Sequence, residues 1–222
     1  MKQNIFALFA ALLAFVIFTS CETAGSKAPK ETFTVKLESV QYKIGEAEVR
    51  LKPSMGLGKL KDVKVPVFYF PEEDAVVLKF MYEFTTFHQC WSRSGRQSFI
   101  DAVPKYKEDY DSRALARGKK TKRSYGLVFG YVLWQTVKIA VHAHANMNVE
   151  LGYTFVGGAP YFVANQLRTE YISNVSRSFN RSGPIIPMYF TGPQAEKMAE
   201  IFEQAGKIDG EDSLNTDSIR PF

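Results

Sequence analysis

Two histidines two residues apart, His142 and His144, are the sharpest chemical feature of the sequence. On a strand, residues i and i+2 face the same side, so both imidazoles would project together. Neutral imidazoles ligate zinc or copper. A working site needs a third or fourth ligand, and His88, Glu150 or an acid from a loop are the candidate donors. Zinc on His142, His144 and His88 is therefore the one cofactor reading. The bland reading is a pair of solvated histidines. In the alternating pattern the pair shares a face with Lys138, opposite Val137, Ile139 and Val141.

A second feature is cationic. Arg113, Arg117, Lys119, Lys120, Lys122 and Arg123 fall within eleven residues that contain no acid. Near an anionic surface each such charge contributes about 1 kcal/mol, and salt screens it within about 8 Å. The segment can dock lipid headgroups or an acidic polymer, or it can simply solvate a connection. Aromatics are plentiful: Tyr125, Phe129, Tyr131, Trp134, Tyr153, Phe155, Tyr161 and Phe162 can line a pocket or fill a core. Cys90 lies between Phe87 and Trp91 and reads as a small buried hydrophobe. There is no His-Glu-x-x-His, no Gly-x-Ser-x-Gly and no phosphate-binding glycine loop. No acid, base and nucleophile can be grouped from spacing, so a non-catalytic role is expected.

The amino terminus says where the chain goes. Lys2 precedes a charge-free run from Ile5 to Phe18, too short for the roughly 20 residues of a spanning helix. That is the layout of an export signal. The run ends at Phe18-Thr19-Ser20-Cys21, which resembles the lipobox of bacterial lipoproteins, in the looser form found among spirochaetes. The resemblance implies cleavage before Cys21, a diacylglycerol on its thiol and membrane attachment through that lipid. By the same analogy, the lack of aspartate after the cysteine implies the outer membrane. Glu22 to Glu31 has a tether's composition, with almost nothing to bury. Expected bounds are a signal over 1–20, anchor and tether over 21–31, a domain over 32–207 and a polar tail over 208–222. The net charge of +5 falls to +4 once Lys2 is removed. That mild balance, together with export, argues against nucleic acid and leaves an envelope protein or anionic polymer as a partner.

Hydrophobic residues make up 45% of the chain, enough for a real core. Alternation predicts strands over 32–38, 40–44 and 47–51, the last two separated by a turn at Gly45-Glu46. Val63 to Phe70 reads as a strand with an edge position or a break at Pro66. Ala75–Phe84 and Thr86–Trp91 read as a hairpin. Phe99, Val103, Tyr106 and Tyr110 make a helical stripe capped at Ser92 or Ser94, kinked or divided into two shorter helices at Pro104 and ending near Gly118. Strands follow over 125–162 and 184–190, with a long loop over 169–183 between them. A last helix opens at Thr191-Gly192-Pro193 and ends at Gly206.

One echo links the halves. Aligning Ser92 on Thr191 places Phe99 on Met198, Ala102 on Ile201 and Val103 on Phe202. The expected fold is α+β: an antiparallel, curved sheet or partial barrel with two helices. Two related sheet-plus-helix units, 32–118 and 124–207, would build it. The expected function is a lipid-anchored envelope protein that binds a partner or supports an assembly. Metal binding and transport of a small apolar ligand are the alternatives.

Overall fold

The computed structural model describes residues 33–53, 59–116, 124–136, 142–170 and 182–208. Four strands come first: β1 (Tyr42–Leu51), β2 (Lys61–Phe70), β3 (Ala75–Tyr82) and β4 (Thr85–Trp91). Helix α1 (Arg93–Asp111) follows. Then come β5 (Gly126–Thr136), β6 (His142–Val156) and β7 (Ala159–Gln166), a small ribbon of β8 (Thr169–Glu170) and β9 (Ser182–Gly183), β10 (Ile186–Phe190) and α2 (Gly192–Ile208).

Eight strands close into an antiparallel barrel in the order β1-β10-β7-β6-β5-β4-β3-β2. Closure removes the exposed edges that an open sheet would leave. The expected curved sheet is thus a complete barrel, sealed by Arg50↔Tyr189 and Leu51↔Met188 between β1 and β10. The topology repeats. β1 to β4 form an antiparallel meander followed by α1, and β5, β6, β7 and β10 form a second followed by α2.

The echoed positions are buried as pairs: Phe99 with Met198, Ala102 with Ile201, Val103 with Phe202. Both helices begin just after a strand ends, and both are capped by hydroxyls. Gly95 N–H donates to Ser92 Oγ at 3.2 Å. Thr191 and Gln194 make a reciprocal capping box. Gln194 N–H donates to Thr191 Oγ1 at 3.4 Å, and Thr191 N–H donates to Gln194 Oε1 at 3.0 Å.

The inward-facing residues and both helices share one core. Phe99 is its hub, with ring centroids of Phe202, Phe162, Phe190 and Trp91 at 5.2, 5.3, 5.7 and 5.9 Å. One polar link crosses the barrel interior: Gln89 Nε2 donates to Gln166 Oε1 at 2.7 Å, and Gln166 Nε2 donates to the Pro184 carbonyl at 3.0 Å. Gly130 has no room for a side chain, since a Cβ there would lie 2.5 Å from the Cys90 carbonyl oxygen and 2.8 Å from the Met147 methyl.

Several local expectations change. Residues 33–41 form no strand. The alternation of Phe33, Val35 and Leu37 instead packs side chains onto the outside of the barrel, against Phe68, Phe70, Val77, Cys90, Tyr131 and Leu133. The segment is a strap, held through Glu73 by the Lys36 N–H at 3.2 Å and the Ser39 hydroxyl at 3.0 Å. Gly45-Glu46 is no turn, because β1 runs through it with a bulge between Lys43 and Gly45. β2 is no edge strand. Pro66 falls just before the β3 ladder begins at Val67, so the residue without an N–H is tolerated.

Pro104 does not divide α1. It removes one backbone bond, and the buried stripe around it outweighs that cost of about 3 kcal/mol. α1 ends at Asp111, not near Gly118. Arg113 takes the left-handed conformation at φ 56° that glycine usually supplies. Its N–H donates to the Tyr110 carbonyl at 3.1 Å, and the Ala114 N–H donates to the Asp109 carbonyl at 2.8 Å. Those two bonds are a Schellman ending. α2 runs past Gly206 to Ile208. The strand expected over 137–141, most of the loop over 171–181 and the tail from 209 lie outside the described residues.

Candidate functional site

A concave surface of the described residues lies where α1, the start of β7 and the first turn of α2 meet. Its first wall is the face of α1 carrying Val103, Tyr106, Lys107, Tyr110 and Asp111, positions that recur every three or four residues and so share one side. The second wall is the start of β7, Ala159 to Tyr161. The third is the first turn of α2, where Pro193 and Glu196 face the groove. The cavity measures about 410 Å³. A neighbouring hollow of about 490 Å³ shares Tyr110, Asp111 and Pro160 with it and adds Arg113, Leu115 and Phe155. Ligand sites commonly span about 300–1,000 Å³.

Each side chain is held from behind. Tyr106 is buried, and its hydroxyl donates to the Pro160 carbonyl at 3.3 Å, which joins α1 to β7. Burial, then the neighbouring Tyr110, pushes its phenol up to about 12. The Tyr110 ring centroid lies 6.2 Å from that of Tyr106, yet Tyr110 is 53% exposed. Tyr161 is oriented by Arg50, whose Nη1 donates to its hydroxyl at 2.9 Å and whose guanidinium carbon lies 5.6 Å from its ring centre. Asp62 holds Arg50 in turn at 2.6 Å. Lys107 Nζ donates to Glu196 Oε1 at 2.6 Å, closing the groove between the two helices, and that bond raises the lysine's pKa. Beyond α1 the chain is fastened by Tyr153, whose hydroxyl accepts from the Ala116 N–H at 3.1 Å.

Of the three histidines, His88 and His144 have described side chains. His88 and His144 share one row across three strands, with Leu133 between them as the cross-strand partner of both. Strand spacing then separates their Cα atoms by about 10 Å. The His144 ring lies against Tyr131, centroids 5.7 Å apart. Glu150 stands six residues along the same strand, about 20 Å away, and faces Leu127 and Asn165. His142 opens β6 opposite Gln135, and its side chain lies outside the described residues. Among the described residues, no three histidine, cysteine or acidic side chains gather as metal ligands.

Of the basic run, Arg113 ends α1 and lines the second hollow, and it is exposed. Arg117, Lys119, Lys120, Lys122 and Arg123 lie outside the described residues, as does Cys21. Cys90 is buried beneath the strap, where desolvation and then Glu73 push its thiol far above the ordinary range. The aromatics divide. Phe162 and Tyr153 are core, Tyr161 lines the groove and Phe155 the second hollow, and Phe129 is exposed on the outer face of β5. The stripe that revealed α1 contained two of the groove's tyrosines, Tyr106 and Tyr110. Only the exposure of Tyr110 separates them from core residues.

The chain is thus an α+β protein, a closed eight-stranded antiparallel barrel carrying two helices and a tyrosine-lined groove. It belongs to the family described as "Uncharacterised Treponema protein", which matches residues 18–209. No curated protein and no solved structure matches it.

Proposed function

We propose that this chain is a lipid-anchored protein of the spirochaete cell envelope whose folded domain binds rather than catalyses. Cys21 carries the reading: it stands where a charge-free run of export-signal length stops and a polar tether begins. Two or more acyl chains at about 0.8 kcal/mol per buried CH₂ suffice to hold a domain on a bilayer. The family match, to a Treponema protein family, supports the spirochaete part of the reading. By analogy with other bacterial lipoproteins, the outer membrane is the destination.

A binding role suits the architecture. The core is filled by its own aromatic side chains, and the groove between α1, β7 and α2 is a concave surface open to a partner. Metabolic labelling with a fatty acid tests the anchor. The wild type should take up label, and Cys21→Ala should take up none and accumulate as precursor. Equal labelling of both proteins would refute the reading.

A further inference from the structure

We propose that the hairpin between β3 and β4 enters the anionic surface of the bilayer that holds Cys21, a contact that rests on the anchor proposed above. Its turn is strained. Glu83 and Phe84 lie at φ 49° and φ 62°, both left-handed, and the Tyr82↔Thr85 pair closes them into a two-residue turn. Turns of this type favour Asn-Gly, because other side chains crowd the backbone there. A bulky residue at such a φ is an outlier, and outliers of this kind cluster at working sites. Packing does not offset the strain, since Phe84 is 81% exposed. Met81, three residues earlier and 62% exposed, adds a second apolar side chain to the tip.

The setting is cationic. Strands β1, β3, β5 and β7 end, and β2, β4, β6 and β10 begin, at the hairpin's end of the barrel. The Tyr82 hydroxyl donates to the Lys52 carbonyl at 2.8 Å, which sets Lys52 next to the hairpin. Lys52, Lys59, Lys61, Lys79 and Arg168 are exposed at this end. Against them stand Glu83, Glu170 and Asp62, the last held by Arg50 at 2.6 Å. The connecting sequences 54–58, 137–141 and 171–181 contain no acid and add Lys138, Arg177 and Arg181. An apolar tip among cations fits an anionic bilayer, with phenylalanine at the acyl boundary and lysines at the headgroups. A fluid bilayer closes around a convex tip, whereas a protein partner would need a matching pocket. Reach agrees. Eleven residues separate Cys21 from Phe33, so a lipid on Cys21 keeps Phe33 within about 40 Å of the bilayer. β7 starts at the opposite end of the barrel, so this contact turns the groove away from the membrane.

The acylated full chain, reconstituted in phosphatidylcholine vesicles with or without phosphatidylglycerol, provides the test. In a Cys90→Ala background, Glu83→Cys carries a nitroxide at the tip, and Glu203→Cys carries a control nitroxide on an exposed position of α2. With phosphatidylglycerol present, oxygen should relax the tip label more than a water-soluble nickel chelate does. The control label should show the reverse. Phe84→Gly should return the tip label to the aqueous pattern and raise the melting temperature by about 1–4 °C, because glycine takes the left-handed conformation without strain. Lys52→Gln with Lys79→Gln should weaken the response to phosphatidylglycerol. An aqueous tip label in both vesicles would overturn the proposal, as would full lipid entry by Phe84→Gly. Flotation of the vesicles reads the anchor separately. An acylated chain that floats with an aqueous tip label would sink the tip alone. A chain recovered without acyl groups, labelled after Cys21→Ser, whose tip label still enters lipid would sink the anchor and leave the tip.

Discussion

Arg96 is only 3% exposed, and its guanidinium donates to the Asp74 carboxylate at 2.6 Å and to the Asp74 carbonyl at 2.7 Å. Those bonds tie the first turn of α1 to the turn between β2 and β3. Tyr69 adds its ring face to Arg96, 5.8 Å from centre to guanidinium carbon, and its hydroxyl donates to Asp74 at 3.3 Å. Arg93 donates to the second carboxylate oxygen. The helix that forms one wall of the groove is therefore anchored at its far end by a buried charge.

Arg96→Ala should destabilise the domain by about 2–3 kcal/mol, less than breaking a fully buried pair, because Asp74 keeps Arg93 and some water. Burial alone would raise the Asp74 pKa, but Arg96 and then Arg93 more than offset it, and the carboxyl sits below its usual value. A depressed carboxylate contributes stability above its unfolded pKa of about 3.9, and that contribution is lost as pH falls through the lower folded value. Urea midpoints measured from pH 5 down to pH 2 should fall more steeply for the wild type than for Asp74→Asn. Parallel profiles would contradict this.

Arg113 holds a left-handed conformation that costs a side-chain-bearing residue about 1 kcal/mol relative to glycine. Arg113→Gly should therefore raise stability by about 0.5–1 kcal/mol, a rise of about 2–4 °C per kcal/mol in a domain of this size. A fall in melting temperature would mean that the arginine side chain holds the second hollow together. This position also shows why the helix end was hard to foresee: the Schellman bonds formed around an arginine five residues before the glycine that sequence rules favour.

Other features were legible to different degrees. The two caps and the paired stripes could be read locally, because a hydroxyl followed by apolar residues at helical spacing is a short-range pattern. Barrel closure could not, since it rests on Arg50↔Tyr189 and Leu51↔Met188, which bring opposite ends of the domain together. The strap misled for a physical reason. Phe33, Val35 and Leu37 alternate because one side is buried, and alternation does not say whether the backbone also pairs. The groove was hidden because Tyr110, Pro160 and Pro193 come from three separate elements, with no spacing to connect them.

The strap governs Cys90. In a Cys21→Ser background, the single remaining thiol should react with a disulfide reagent only as fast as the strap or the domain opens. Val35→Asp puts a charge into the buried cluster over that thiol and should speed the reaction by about tenfold or more. Immediate reaction of the unmutated strap would show that it does not cover the thiol.

The proposed anchor at Cys21 is tested most directly by the intact mass of the chain purified from spirochaete membranes. That polypeptide should begin at Cys21 and carry the added mass of a diacylglyceryl group and an amide-linked acyl chain. A chain that keeps any of residues 1–20, or begins elsewhere without lipid, would contradict it.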